Sequence, residues 1–189
     1  MYKMLVASFG IIQRRIPSRS FLRELSSVEA LGVYVLTTVL GLIELFFPAL
    51  TNTEFGMLKP IGFALIENVL GLLITLVIGK WIINRYAKDK FSFKEMFVLQ
   101  VLLTSASSIV FSISWVASVL FGEAGAVLVG LPSIIFGIYM LLTFQKAIRE
   151  IASITTSQAA YVILAPIGVL LIGWVVFLSL AGGIAVVSR

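Results

Sequence analysis

Apolar residues dominate this chain in five long runs, separated by short polar breaks. The runs cover about 29–50, 61–83, 95–121, 124–144 and 159–187. A helix needs about 20 mostly apolar residues to cross a hydrocarbon layer of about 30 Å, and each run is long enough. They are too long and too continuous for the short alternating strands of a membrane barrel. The pattern therefore predicts an all-α integral membrane bundle of five transmembrane helices in one domain, 29–187. Before it lies a basic arm, 1–28, in which Leu5, Phe9, Ile12 and Ile16 recur on one helical face between Lys3 and Arg14–Arg15. That spacing predicts a short amphipathic N-terminal helix, lying at a membrane interface or packed on the bundle, which Pro17 ends.

The breaks carry helix-start chemistry. Ser26 with Glu29, and Ser92 with Glu95, have capping-box spacing: hydroxyl and carboxylate three residues apart can satisfy free backbone N–H groups. Pro60 suits the first turn of the second span, and Thr155, Thr156 and Ser157 are cap candidates for the fifth. Pro132 and Pro166 are kink positions. Ala126 with Gly130, and Ser133 with Gly137, have the small-residue spacing that lets helices approach closely, within one chain or between copies.

Charge orients the bundle. Twelve of the 14 Lys and Arg residues fall before the first span or in and beside the second and fourth connections, with Lys80 at the inner end of the second run. Only Lys59 and Arg189 fall on the other side. The excess predicts a cytoplasmic N-terminus, a C-terminus outside, and location in the cell membrane. It also assigns the net charge of +5 to anionic lipid head groups, not to nucleic acid. The head-group or partner surface predicted here comprises Arg14, Arg15, Arg19, Arg23, Arg85, Lys88, Lys90 and Lys94.

Composition narrows the chemistry. The chain has 60% hydrophobic and 12% charged residues, without His or Cys. That leaves no disulfide, no thiol nucleophile, no imidazole base and no Cys/His metal site. There is no P-loop and no glycine-rich dinucleotide fingerprint. Asp89 is the one aspartate, which excludes a paired-aspartate intramembrane protease. We expect no enzyme, no cofactor and no metal.

Polar residues inside the predicted spans are the remaining candidates. Glu44 and Glu67 each sit six residues from the outer boundary, about 9 Å deep at about 1.5 Å per residue. Two carboxylates meeting there could share a proton, forming a proton or cation site. The structural alternative has each protonated and hydrogen-bonded to Asn68, to a serine of span three or to a carbonyl. In span three, Gln100, Thr104, Ser108 and Ser112 recur every four residues and predict an inward stripe, for helix packing or a narrow hydrated path.

Three segments carry a family resemblance. Ile16-Pro17-Ser18-Arg19-Ser20-Phe21-Leu22-Arg23 is similar to a Pro-Arg-x-x-Phe segment before a first span. Phe91-Ser92-Phe93-Lys94-Glu95-Met96-Phe97 is similar to a Ser-Phe-Lys-Glu opening of a third span. The stretch 138–159, with Phe144-Gln145-Lys146-Ala147-Ile148-Arg149 and Ser157-Gln158-Ala159, is similar to the loop between spans four and five. In this the chain resembles the Yip1 family of five-span membrane proteins, in its short prokaryotic form. It departs from the family at Leu99-Gln100-Val101-Leu102-Leu103, where members often carry a proline, and in its short N-terminal arm. The resemblance implies a multi-pass membrane protein, and does not bring over the eukaryotic members' association with Rab GTPases. The function expected is a non-enzymatic scaffold or interaction protein that binds lipid, a protein partner or a second copy of itself. The alternative is a small proton- or cation-coupled permease using Glu44 and Glu67.

Overall fold

A computed structural model describes the backbone of residues 1–51 and 58–187, and the side chains of residues 1–40, 65–66, 68–109, 134–176 and 179. The described residues are helical, without a strand. The helices are α1 (Tyr2–Ile12), α2 (Arg19–Glu24), α3 (Ser27–Thr51), α4 (Leu58–Tyr86), α5 (Phe93–Ala152) and α6 (Thr156–Val187).

Local chemistry sets their ends. The Ser18 hydroxyl accepts from the Phe21 N–H at 3.3 Å and starts α2. At α5 the capping box forms in full: the Glu95 N–H donates to Ser92 Oγ at 3.1 Å and the Ser92 N–H donates to Glu95 Oε2 at 2.7 Å. Thr155 and Gln158 make the same reciprocal pair before α6, at 2.9 and 3.3 Å. Ser26 differs from its predicted box: its hydroxyl accepts from Val28, one residue short of Glu29, while Glu29 Oε2 accepts from the Ser26 N–H at 3.4 Å. Ser153 ends α5 in the left-handed region at φ 53°.

The largest departure from the hydropathy pattern is α5. It is 60 residues long and covers both the third and fourth predicted spans, with residues 121–124 helical where a break is expected. A straight helix of that length would reach about 90 Å. Yet Met96 lines one cavity with Ile148, and Leu103 lines it with Leu141. Both pairs are centred on residue 122, so α5 doubles back there and its arms run side by side. Residue 122 is itself a glycine, with Gly125 three residues on, and glycines offer little resistance to bending. The expected reversal is present without the expected loss of helix.

Around this hairpin, α3 packs mainly on α5, and α4 mainly on α6. The core gathers near the 87–92 and 153–155 connections. It contains Leu99 and Leu102 of α5, Val33 of α3, Ile83 of α4 and Val162 of α6. At Gly79 the helices meet closely: a Cβ there would stand 2.7 Å from the Met96 methyl. The Tyr34 hydroxyl donates to the Asn68 carbonyl at 3.1 Å and ties α3 to α4.

The arm is a packed element. Met4, Ser8 and Ile11 of α1 are buried against the bundle, with Leu5, Ile12 and Ile16 at the margin. Of the predicted stripe, Phe9 is displaced to the surface and is half exposed. Ser8 is accommodated because its hydroxyl donates to the Met4 carbonyl at 3.1 Å.

Two helical stretches, Asn68–Tyr86 and Thr156–Val176, are long and apolar enough to cross a membrane. Their outer faces are apolar and open, with Leu73 and Val77 on α4 and Leu171 and Ile172 on α6 among the exposed side chains.

Candidate functional site

At one end of the bundle the basic connections converge on one carboxylate. Glu95 is held in the first turn of α5 by its capping box, and its side chain is only 5% exposed. Arg19 Nε and Arg23 Nε both donate to Glu95 Oε1, at 3.0 and 2.8 Å. Arg19 also donates to the Asp89 and Lys90 carbonyls, and its guanidinium lies 4.0 Å from the centre of the Phe91 ring. Phe91 is itself clamped by Asn84, whose amide accepts from the Phe91 N–H at 2.6 Å and donates to its carbonyl at 3.1 Å. The arm, the α4–α5 connection and the start of α5 are thereby locked together. Burial pushes the Glu95 carboxyl up, but the Ser92 N–H, the two arginines and the Ser92 hydroxyl outweigh it and hold the group at about 2. Glu95 is the first residue of the third predicted run and sits in this polar end layer beside the arm and the 87–92 connection.

The eight predicted surface cations divide accordingly. Arg19 is drawn inward, because a buried carboxylate needs a charged partner. Arg23 keeps its outer edge in solvent while pairing with Glu95, and the Lys94 ammonium donates to the Arg23 carbonyl at 2.8 Å. Lys90 donates to the Asn84 carbonyl at 3.0 Å. Arg14, at φ 60°, lies 4.9 Å from the Tyr139 ring centre, and the Tyr139 hydroxyl donates to the Ile12 carbonyl. Arg85 stands 5.8 Å from the Trp81 ring centre. Arg15 and Lys88 are exposed, and their side chains have no partner among the described residues.

Part of the predicted inward stripe lines a real space. Gln100, Thr104 and Ser108 face a cavity of about 380 Å³ between α4, both arms of α5 and α6. Thr75 and Ser107 join them, and Pro166 closes one wall. A second space of about 250 Å³ brings Asn68 together with Gln100, Thr104 and Tyr34. Most of the hydroxyls are satisfied locally: Thr104 donates to the Gln100 carbonyl at 2.8 Å and Thr75 to the Gly71 carbonyl at 2.7 Å. Ser105, off the stripe, is buried with no hydrogen-bond partner among the described residues. The side chains of Glu44, Glu67 and Ser112 lie outside the described residues.

Sequence reasoning missed Thr75 and Asn84. Thr75 stands alone in an apolar run, and Asn84 acquires its role only when the connection folds back over it. Among the described residues no group of three acidic, His or Cys side chains could hold a metal ion.

The class defined so far is an all-helical protein with two helices long and apolar enough to cross a membrane. Compared with family models, with curated proteins and with solved structures, the chain matches none.

Proposed function

We propose that this chain is a non-enzymatic, multi-pass protein of the cell membrane that crosses the bilayer five times from a cytoplasmic N-terminus. Its basic end engages anionic head groups and presents a surface to a protein partner or a second copy. The observation that carries this reading is the junction of open apolar helix faces with a basic end: exposed Leu73 and Val77 on α4 run directly into Lys80, Arg85 and Lys90. The Yip1 resemblance supports the same topology. Because α5 doubles back, its two arms supply two antiparallel crossings.

Single cysteines test this in a chain that has none of its own. Lys88→Cys and Ser157→Cys should react only with reagent supplied from inside, and Asn52→Cys and Ser188→Cys only from outside. Ser188→Cys reacting solely from inside would remove the five-span reading. Lys88→Cys reacting from outside would reverse the orientation.

A permease is the second reading, favoured by the Gln100–Thr104–Ser108 lining of the cavity. It expects proton or cation flux in proteoliposomes that Glu44→Gln/Glu67→Gln abolishes while the protein stays folded. Absence of flux under every imposed gradient rules it out.

A further inference from the structure

A cleft outside the Glu95 cluster combines charge with an apolar track. It has a volume of about 470 Å³ and lies where α4 ends and α5 begins. Val77, Lys80, Trp81, Asn84 and Arg85 line one wall, and Lys90 and Phe93 the other. The α4 residues fall at i, i+3, i+4, i+7 and i+8, one face of a helix. That face is turned from the core: Ile82 and Ile83 are buried, whereas Trp81 is 64% exposed and Phe93 61%.

We propose that this cleft binds one anionic phospholipid, with its phosphate among Lys80, Arg85 and Lys90 and an acyl chain running along α4. The proposal rests on the membrane reading above and names a specific lipid subsite within it. Charge complementarity is the first argument. Three cations line the cleft and no acidic residue does. Their present contacts leave donors free. The Lys90 ammonium has three N–H groups and makes one bond, to the Asn84 carbonyl. The Lys80 ammonium lies 3.6 Å from the Phe93 ring centre and the Arg85 guanidinium 5.8 Å from that of Trp81, contacts that orient a cation without using up its hydrogen bonds.

Pre-organisation is the second argument. Asn84 is committed to both backbone groups of Phe91, so Lys90 in the connection and Phe93 at the start of α5 are fixed against α4 before any ligand arrives. The third is the apolar continuation. Leu70, Leu73, Val77 and Trp81 fall at i, i+3, i+7 and i+11, and each is at least half exposed. That stripe is about 16 Å long at about 1.5 Å per residue, close to half of a hydrocarbon layer of about 30 Å. It suits a chain from one leaflet. A free phosphate or a nucleic acid would leave it uncovered.

The test uses full-length protein with Trp115→Phe/Trp174→Phe, so that Trp81 is the sole indole. It is reconstituted in phosphatidylcholine vesicles containing acyl-brominated phosphatidylglycerol or, separately, brominated phosphatidylcholine. Trp81 fluorescence should be quenched at a mole fraction of the anionic lipid lower by well over tenfold, since three cations each contribute about fivefold. Arg85→Gln alone should reduce that preference roughly fivefold, since one basic residue near an anionic surface contributes on the order of 1 kcal/mol. Lys80→Gln/Arg85→Gln/Lys90→Gln should abolish it. Millimolar glycerol phosphate should leave it intact. Equal quenching by both lipids, with Trp81 plainly in the bilayer, overturns the subsite and leaves the membrane reading standing. Displacement by glycerol phosphate also overturns it, because the site would then take a soluble anion. No quenching by either lipid, with protein that fails to float with the vesicles, overturns the membrane reading and the subsite together.

Discussion

Glu95→Ala should lower the unfolding free energy by about 3 kcal/mol, at the low end of the 3–5 kcal/mol for breaking a buried ion pair. Glu95 accepts from Arg19, Arg23 and the Ser92 N–H. Without it, Arg23 relaxes into solvent, since its side chain is already 60% exposed. Arg19, at 16% exposed, stays over Phe91 and keeps only the exposed Asp89 carboxylate, at 3.8 Å, as an ionic partner. The Ser92 N–H loses its acceptor in the same step, while the Ser92 hydroxyl still caps the start of α5 through the backbone N–H of residue 95. Glu95→Gln should fall between alanine and wild type, because an amide oxygen still accepts from Ser92. The measurement is denaturant unfolding in mixed micelles. Acid supplies a second signature. The Glu95 carboxyl is held down at about 2 in the fold, so its contribution is complete above the ordinary carboxylate value of 4.5 and is lost as pH falls toward 2. The gap between wild type and Glu95→Gln should be flat from pH 8 to pH 5 and close below that. A gap that widens on acidification, or an alanine variant as stable as wild type, would show that the cluster does not hold this end together.

Phe91→Ala has a comparable expected effect, about 3–4 kcal/mol. Phe91 is 2% exposed, and emptying a buried phenylalanine site typically costs 3–5 kcal/mol. Its ring also supports the Arg19 guanidinium at 4.0 Å, a contact of about 0.5–2 kcal/mol. Phe91→Leu should recover most of the loss, because it refills the space without the aromatic face. The two sites share Arg19, so Glu95→Ala/Phe91→Ala should cost less than the sum of the single changes. Strict additivity would mean that the ring and the carboxylate act independently. Phe91→Ala within 1 kcal/mol of wild type would mean that the connection repacks freely.

How much of this was legible in the sequence depends on the range of the interaction. The Ser92–Glu95 box could be read directly because its partners are three residues apart and the bond geometry is that of any helix start. The bond from Arg19 to Glu95 crosses 76 positions and has no local signature. In the sequence, Arg19 and Arg23 therefore read as two more cations of the head-group or partner surface. The α1 stripe shows the same limit. Leu5, Phe9, Ile12 and Ile16 form a consistent apolar face, but Met4 and Ile11 are apolar as well, so hydrophobicity leaves the buried side open. Packing against α5 and α3 selected Met4, Ser8 and Ile11.

By itself, the sequence determined the helical class, most helix starts, the apolar segments and the concentration of cations at one end. These follow from composition, short-range hydrogen bonding and a period of about 3.6 residues, none of which needs a folded partner. Only the tertiary structure decided that α5 doubles back with its helix unbroken, that Glu95 gathers Arg19 and Arg23, and that Lys80, Arg85 and Lys90 share a cleft with Trp81. Each of these depends on which surfaces meet. Helices apolar around most of their circumference carry little information about that, and their contacts are chosen by shape and by the few polar groups that must find partners.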